Sequence, residues 1–473
     1  MFSSFVSLRR RLALAALAAL ALLLAPAPAA SSAAGGSSPA RTAAKRPAAK
    51  KPARKKAPVL NLYAKRALTA YEAMQQSFYV PGTGLYRGAP EYSYLWPFSQ
   101  ALAATVSLSH VTGERPKLAS SLHALTFGLQ QYLGPLSAPG EAGSPATGPA
   151  QPGEAVGESS TEPGTAAASP SDTAAASPSD AAAASAPDTA GASAPGAGAS
   201  TASAGVRSYD GNVAPPVGPG GASYYDDNEW VGIELARLYE LDHEPVALQQ
   251  AQQIMEFVMA GWQTTGPSGQ SLPCPGGVPF SNAANNTTRN TVTDGPGAEL
   301  AVQLYKITRE ARYLQFAEMA YGWVRQCLLE PNDLYADHIN DNGTVQRTLW
   351  SYNQGSMMGA GVLLYQATHE GAYLYQARQT AKAALAYYPY TRLSNENPFF
   401  VAVYFRNLMY LDSVTHDPPG NLPAREYVYY AWLRHRLSDN LFAYGNPPTA
   451  ELLWQAAIVQ VYALLAIPPS TYF

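Results

Sequence analysis

Two adjacent carboxylates, Asp226 and Asp227, sit within Tyr224-Tyr225-Asp226-Asp227-Asn228-Glu229-Trp230 and are the residues of this chain best suited to bond-breaking chemistry. Glycosidic cleavage commonly uses two carboxyl groups, one attacking carbon or activating water and the other protonating the leaving oxygen. An isolated acid pair at a helix start has a plainer explanation, since negative charge complements the positive end of the helix dipole. Neighbouring side chains in a helix diverge by roughly 100 degrees. Their carboxyls can still lie about 5 Å apart, the separation associated with retention of configuration.

Five further segments mix aromatic rings with amides and acids: Tyr92 to Phe98, Arg289 to Gly295, Trp350 to Gly355, Asn395 to Phe399 and Tyr444 to Pro447. A pyranose presents apolar C–H faces that stack on rings and hydroxyls that need donors and acceptors. The candidate sugar contacts are therefore Trp96, Tyr224, Tyr225, Asn228, Trp230, Asn290, Asp294, Tyr352, Asn353 and Gln354. For a single ring the plain alternative is packing at the end of a helix. Asp337, Asn340, Asp341 and Asn342 before Gly343 suggest calcium by type, but the spacing misses an EF-hand loop and reads as a solvated turn.

The elements that must position these residues repeat. Leu238-Tyr239 is followed by Glu244, Leu248 and Ala251; Leu304-Tyr305 by Glu310, Leu314 and Ala317; Leu364-Tyr365 by Glu370, Leu374 and Ala377. Leu108-Ser109, Glu114, Leu118 and Ser121 keep the same offsets. Each copy reads as a helix, a tight turn and a second helix beginning near the Glu. Twelve helices are expected, starting near Val59, Trp96, Arg115, Asp226, Glu244, Thr291, Glu310, Tyr352, Glu370, Pro398, Leu422 and Pro448. Those apolar all round belong inside, and those with one polar face outside. The fold class is all-α: an (α/α)6 toroid of six inner and six outer helices, with an open solenoid of helix pairs as its rival. Small residues such as Gly359, Ala360 and Gly361 would let inner helices approach, and strand signals are weak.

Composition divides the 473 residues unevenly. Residues 1–30 carry Arg9 to Arg11, an Ala/Leu run and small residues, a secretory signal pattern. Residues 31–57 hold eight basic residues and no acid, a disordered tether suited to an anionic cell-surface polymer or a simple spacer. From 58 to 473 one helical domain is expected, interrupted at about 137–205 by an Ala/Pro/Ser/Gly-rich insertion that cannot build a core. With the 11 Lys and Arg before Ala57 set aside, 20 basic residues face 34 acids, a balance of −14 that repels nucleic acid. Cys274 and Cys327 are the only cysteines; they have no metal-ligand spacing, and their pairing is not fixed by sequence. Neither a metal nor a nucleotide cofactor is implied.

The motifs resemble glycoside hydrolase family 76, of the endo-α-1,6-mannanase type. The matching pieces are Leu95-Trp96-Pro97-Phe98, Tyr224 to Asn228, Gly276-Gly277-Val278, Gly295-Pro296 with Leu304-Tyr305, and Tyr352-Asn353-Gln354-Gly355. The resemblance covers about Leu60 to Ile467 apart from the insertion. It implies an (α/α)6 fold and retaining hydrolysis of α-1,6-linked mannose backbones, with Asp226 as nucleophile and Asp227 as acid/base. That role requires a raised Asp227 pKa, through burial under Tyr224, Tyr225 and Trp230. Phe280, Arg289 and Asp294 depart from the family pattern, in what is expected to be the sugar-binding rim.

The expected protein is a monomeric glycosidase, secreted or associated with the cell envelope, with a polysaccharide substrate. A relative that transfers mannan to a sugar acceptor and a silent carbohydrate-binding toroid are the alternatives. An epimerase or unsaturated-uronide hydrolase ranks below them, because epimerases of this shape usually depend on histidines and the seven here form no inner-helix cluster.

Overall fold

The computed structural model describes residues 60–88, 91–111, 113–135, 206–266, 268–415 and 421–473. The expected signal, tether and insertion lie outside the described residues. The described chain falls within the compact unit Ala57–Phe473.

Helices that alternate in burial build this unit. The inner ones are α2 (Leu95–Ser109), α4 (Tyr225–Asp242), α6 (Thr291–Thr308), α8 (Ser351–Thr368), α11 (Pro398–Thr415) and α13 (Leu452–Leu464). The outer ones are α1 (Leu62–Phe78), α3 (Arg115–Leu129), α5 (Pro245–Ala260), α7 (Ala311–Cys327), α9 (Gly371–Tyr387) and α12 (Asn421–Arg434); a single turn, α10 (Tyr390–Leu393), precedes α11. Residues 225–238, 291–304 and 351–364 are buried without a break, the polar and charged side chains of α4 and α6 included, so these helices lie inside the ring. Each inner helix packs on the next, α13 packs back on α2, and α1 packs on α13. The ring closes, and the architecture is the (α/α)6 toroid rather than an open solenoid.

The sequence repeat has a backbone cause. His243, Arg309 and His369 adopt left-handed conformations (φ 56°, 63° and 62°) and donate their N–H groups to the carbonyls of Tyr239, Tyr305 and Tyr365. In the early copy Gly113 holds the same offset at φ 86°. One left-handed residue ends the inner helix and turns the chain straight into the outer one. Glu244, Glu310 and Glu370 are the N-caps that follow, and no side-chain cap bond is made there, so their contribution is charge at the helix end.

Glycines set two close approaches. A Cβ at Gly355 would come within 2.8 Å of Tyr404 Cα, so α8 and α11 touch there backbone to backbone; one at Gly359 would meet Asn407 Oδ1 and Glu299 Oε1. Gly361 instead faces Tyr321, Tyr373 and Ala377 on the outer helices.

Three short sheets precede four inner helices: β1 (Tyr79–Val80) with β2 (Leu85–Tyr86), β3 (Thr288–Asn290) with β4 (His338–Asn340) and β5 (Val345–Gln346), and β6 (Ala443–Tyr444) with β7 (Thr449–Ala450), all antiparallel. The last one corrects the expected helix start at Pro448: Thr449 and Ala450 pair as strand, and the helix begins at Leu452. Cys274 and Cys327 form a disulfide that ties the loop before α6 to the end of α7.

Candidate active site

The connections leading into the inner helices gather at one end of the ring. There Tyr224 is the N-cap of α4, and Asp226 and Asp227 occupy its first turn, 9% and 4% exposed. Two influences oppose each other at Asp226. Burial raises its pKa, the N–H groups of Asp227 and of Asp226 itself lower it, and the negative charge of Asp337 raises it again; burial wins, leaving it at about 7. Asp226 Oδ1 is buried and has no hydrogen-bond partner.

Asp337 is the residue the sequence reading assigned to a turn and the structure brings to the mouth. It precedes β4, accepts the Asn353 amide at Oδ1 (3.3 Å) and pairs with His338 Nδ1 at Oδ2 (3.0 Å). Asp226, Asp337 and Glu396 all act on the Tyr352 hydroxyl and, with burial leading, push its pKa up. Glu396 accepts the Ser351 N–H at 3.1 Å and its hydroxyl as well; burial nevertheless lifts its pKa to about 7. The rest of the supposed calcium turn serves its own backbone: Asn340 donates to the Thr344 carbonyl, Asn342 Oδ1 accepts the Thr344 N–H, and Gly343 sits at φ 87°.

Aromatic rings from four inner helices join beside the acids. Tyr352 stacks on Phe400 at 4.0 Å, Trp96 lies near parallel to Phe400 at 6.3 Å, and Trp96 and Trp230 meet Phe399 edge-on at 5.2 and 5.4 Å. The indole nitrogens of Trp96 and Trp230 and the Oδ1 atoms of Asn290 and Asn353 are buried with no hydrogen-bond partner. Tyr224 packs edge-on against Phe280 at 5.4 Å.

Four expected sugar contacts have other duties. Tyr225 turns away from the ring and stacks on Phe257 of α5 at 4.3 Å, because one residue's advance along a helix swings the side chain by about 100 degrees. Asn228 accepts the Tyr209 N–H (2.8 Å) and donates to the carbonyls of Tyr209 (2.9 Å) and Tyr224 (2.8 Å). Gln354 accepts the Tyr335 N–H (2.8 Å) and donates to the carbonyls of Tyr335 (2.9 Å) and Trp350 (3.0 Å). Asp294 takes the Val278 N–H (3.1 Å) from a fully buried position, and burial pushes its pKa well up. Gln455, with its bond from the Phe442 N–H (2.8 Å), completes a pattern: the fourth residue of α4, α6, α8 and α13 fixes the backbone of a connection at the mouth. Arg289 is likewise no rim residue. It is fully buried and donates to the carbonyls of Pro273, Cys274 and Gly276 beside the disulfide.

Below the mouth the ring axis is charged. Arg406 bonds Glu234 (3.1 Å) and Glu299 (3.3 Å), and Arg237 bonds Glu234 (2.6 Å) and the Thr471 carbonyl (3.1 Å). Among the described residues no group of three or more His, Cys, Asp or Glu side chains is placed to hold a metal ion, and no helix is long and apolar enough to cross a membrane.

Comparison with known proteins agrees with this arrangement. The family model described as glycosyl hydrolase family 76 matches residues 204–411. A mannan endo-1,6-alpha-mannosidase of Candida glabrata is 27% identical over 174 residues, which span 34% of this chain and 37% of that protein. A family 76 alpha-mannanase of Bacteroides thetaiotaomicron superposes with a TM-score of 0.64 at 17% identity, over 86% of this chain and 96% of that one. An inactive variant of a Salegentibacter alpha-1,6-mannanase, with two consecutive aspartates replaced and alpha-1,6-mannotriose bound, superposes with a TM-score of 0.57 at 17% identity, over 85% and 99%. At these identities the structural likeness establishes the fold.

Proposed function

The chain belongs to glycosyl hydrolase family 76, and from that premise we propose that it cleaves α-1,6-mannosidic bonds within mannan-type polysaccharides through Asp226 and Asp227. The observation that carries this reading is the acid pair itself: two buried carboxyl residues in the first turn of an inner helix, opening on a mouth of aromatic rings and amides. In this reading one Asp226 oxygen attacks the anomeric carbon as the C1–O bond breaks, and Asp227 gives its proton to the departing sugar oxygen. Asp227 then takes a proton from water, the water oxygen attacks C1, and the ester bond to Asp226 breaks. Two inversions return the original configuration. Asp226 must be ionised to attack, and the helix N-terminus supplies N–H groups to its charged form.

Trp96, Trp230 and Tyr352 form the apolar wall for sugar faces, and Asn290, Asn353 and Asp337 are the polar contacts. The domain is proposed to act outside the cell as a monomer, with residues 41–56 contacting an anionic surface polymer. A second sugar in place of water would make the same intermediate a transferase intermediate.

The test is digestion of linear α-1,6-mannan, with products followed by mass and anomeric NMR. Short mannooligosaccharides whose first-formed reducing ends are α support the reading. Glycan binding with no reducing-end release across a broad polysaccharide panel defeats it in favour of a silent binder, and longer products identify transfer.

A further inference from the structure

We propose that Glu229 is a positioning residue for Asp226: a neutral carboxylic acid one turn below it, donating a hydrogen bond through one bridging water to the buried inner oxygen of Asp226. The kinetic part of this proposal rests on the reading of Asp226 as nucleophile.

The two residues are three apart on α4, so their side chains share a face. Asp226 Oδ1 and both carboxyl oxygens of Glu229 are buried without hydrogen-bond partners, and Glu229 is 0% exposed. A separation of three residues is a rise of about 4.5 Å. Two carboxyls this close along one helix face, and not bonded to each other, are within reach of a single bridging water. Space for the Glu229 carboxyl comes from α6, where a Cβ on Gly297 would stand 3.0 Å from Oε1. A side chain there would close that space.

Charge decides the protonation state. The titratable groups acting on Glu229 are Asp226 on its own helix and Asp294 and Glu299 from α6; the Gly297 N–H, outside hydrogen-bond geometry, is the one group that favours its charged form, and Tyr225 lies within its field. Every titratable neighbour is an acid or a phenol. Arg237 and Arg406, the cations of the axis, are engaged by Glu234 and Glu299. An ionised, unpaired carboxylate in such a place costs several kcal/mol, so the group keeps its proton. An apolar side chain would fill the same space. What an acid or amide adds is a donor aimed at the charge Asp226 must carry.

Glu229→Met and Glu229→Gln separate this role from packing. The Met variant loses the donor; its kcat on α-1,6-mannan is expected to fall about tenfold and the acid limb of kcat/KM to rise by about one pH unit, since a lost hydrogen bond to the charged form raises the Asp226 pKa. The Gln variant keeps a donor and is expected to recover most of both losses. A folded Met variant with the parental acid limb overturns the proposal, and so does a Gln variant whose limb drops by a unit, which would mean that Glu229 is normally ionised. Infrared difference spectra of the full chain give a readout that needs no substrate. The wild type at pH 8 is expected to show a protonated-carboxyl band that Glu229→Gln lacks, and identical spectra overturn the proposal even if the chain proves inactive on mannan or the Met variant does not fold.

Discussion

Asn353 donates its side-chain amide to Asp337 Oδ1 at 3.3 Å, joining the first turn of α8 to the strand connection whose charge acts on Asp226. Removing that charge while keeping the hydrogen-bonding shape is the direct probe of the coupling. Asp337→Asn is expected to move the acid limb of kcat/KM downward by about half a unit, because a neighbouring negative charge disfavours ionisation of Asp226. In the unaltered protein the limb is expected near pH 7, where Asp226 loses its proton. A pH–rate profile from 4 to 9 on both proteins checks each statement; a parental limb near 4 would remove the effect of burial.

The two aspartates proposed as catalytic should differ by substrate. Asp227→Asn is expected to lower turnover of mannan about 10³-fold, the scale of a lost general acid. With an aryl mannoside whose leaving group needs no proton, the first step should slow less than tenfold, leaving a burst followed by slow turnover. Asp226→Asn should abolish both. Parental cleavage by the Asp226→Asn protein would remove the proposed nucleophile.

The clamp residues should affect stability ahead of binding. Gln354→Leu leaves the buried N–H and C=O of Tyr335 without their partners, and about 3 kcal/mol of stability is expected to be lost. Urea unfolding measures that loss. KM at a temperature where the variant remains folded should stay within about twofold, and a tenfold rise would restore Gln354 to the sugar-binding set.

The Cys274–Cys327 bond spans a sequence separation of 53. Chain entropy alone gives a loop of that size about 4 kcal/mol of stabilisation. Cys274→Ser with Cys327→Ser, or a reductant, should lower the denaturant midpoint accordingly. An unchanged midpoint would mean that Arg289 and its three carbonyls hold the loop unaided.

Stability should fall as pH rises from 6.5 to 8. Asp226 and Glu396, with pKa values raised to about 7, and Glu299, raised to about 8, bind more protons folded than unfolded across that window, so deprotonation favours unfolding. Half-buried His110, lowered to about 4, works the other way, but only below its unfolded value near 6.5. Tm by calorimetry is therefore expected to be lower at pH 8 than at pH 6.5; a rise would show these acids ionised at little cost.

The ring was legible because its repeat records a local backbone requirement. The left-handed residue after each Leu-Tyr pair and the Glu that follows are set within one short turn, so spacing reveals them. The acid pair was legible by type. Which neighbours face the mouth was not, since Tyr224 and Tyr225 are equivalent as letters and a rotation of about 100 degrees sends only the second behind the ring. Asn228 and Gln354 read as sugar contacts because an amide that grips backbone and an amide that grips a hydroxyl look alike in sequence. Asp337 was missed because its importance depends on where the β4 connection lands across the ring, a tertiary fact with no local trace. Its one sequence signal was position, a carboxylate shortly before an inner helix.

The packing of α1 against α13 sets an order of events. A chain supplied from its N-terminus presents Leu62–Phe78 first and must wait for Leu452–Leu464 before that helix has its partner. Closure of the ring is thus the event that dries the interior, and the chemistry proposed for Asp226 depends on α13 as much as on its own helix.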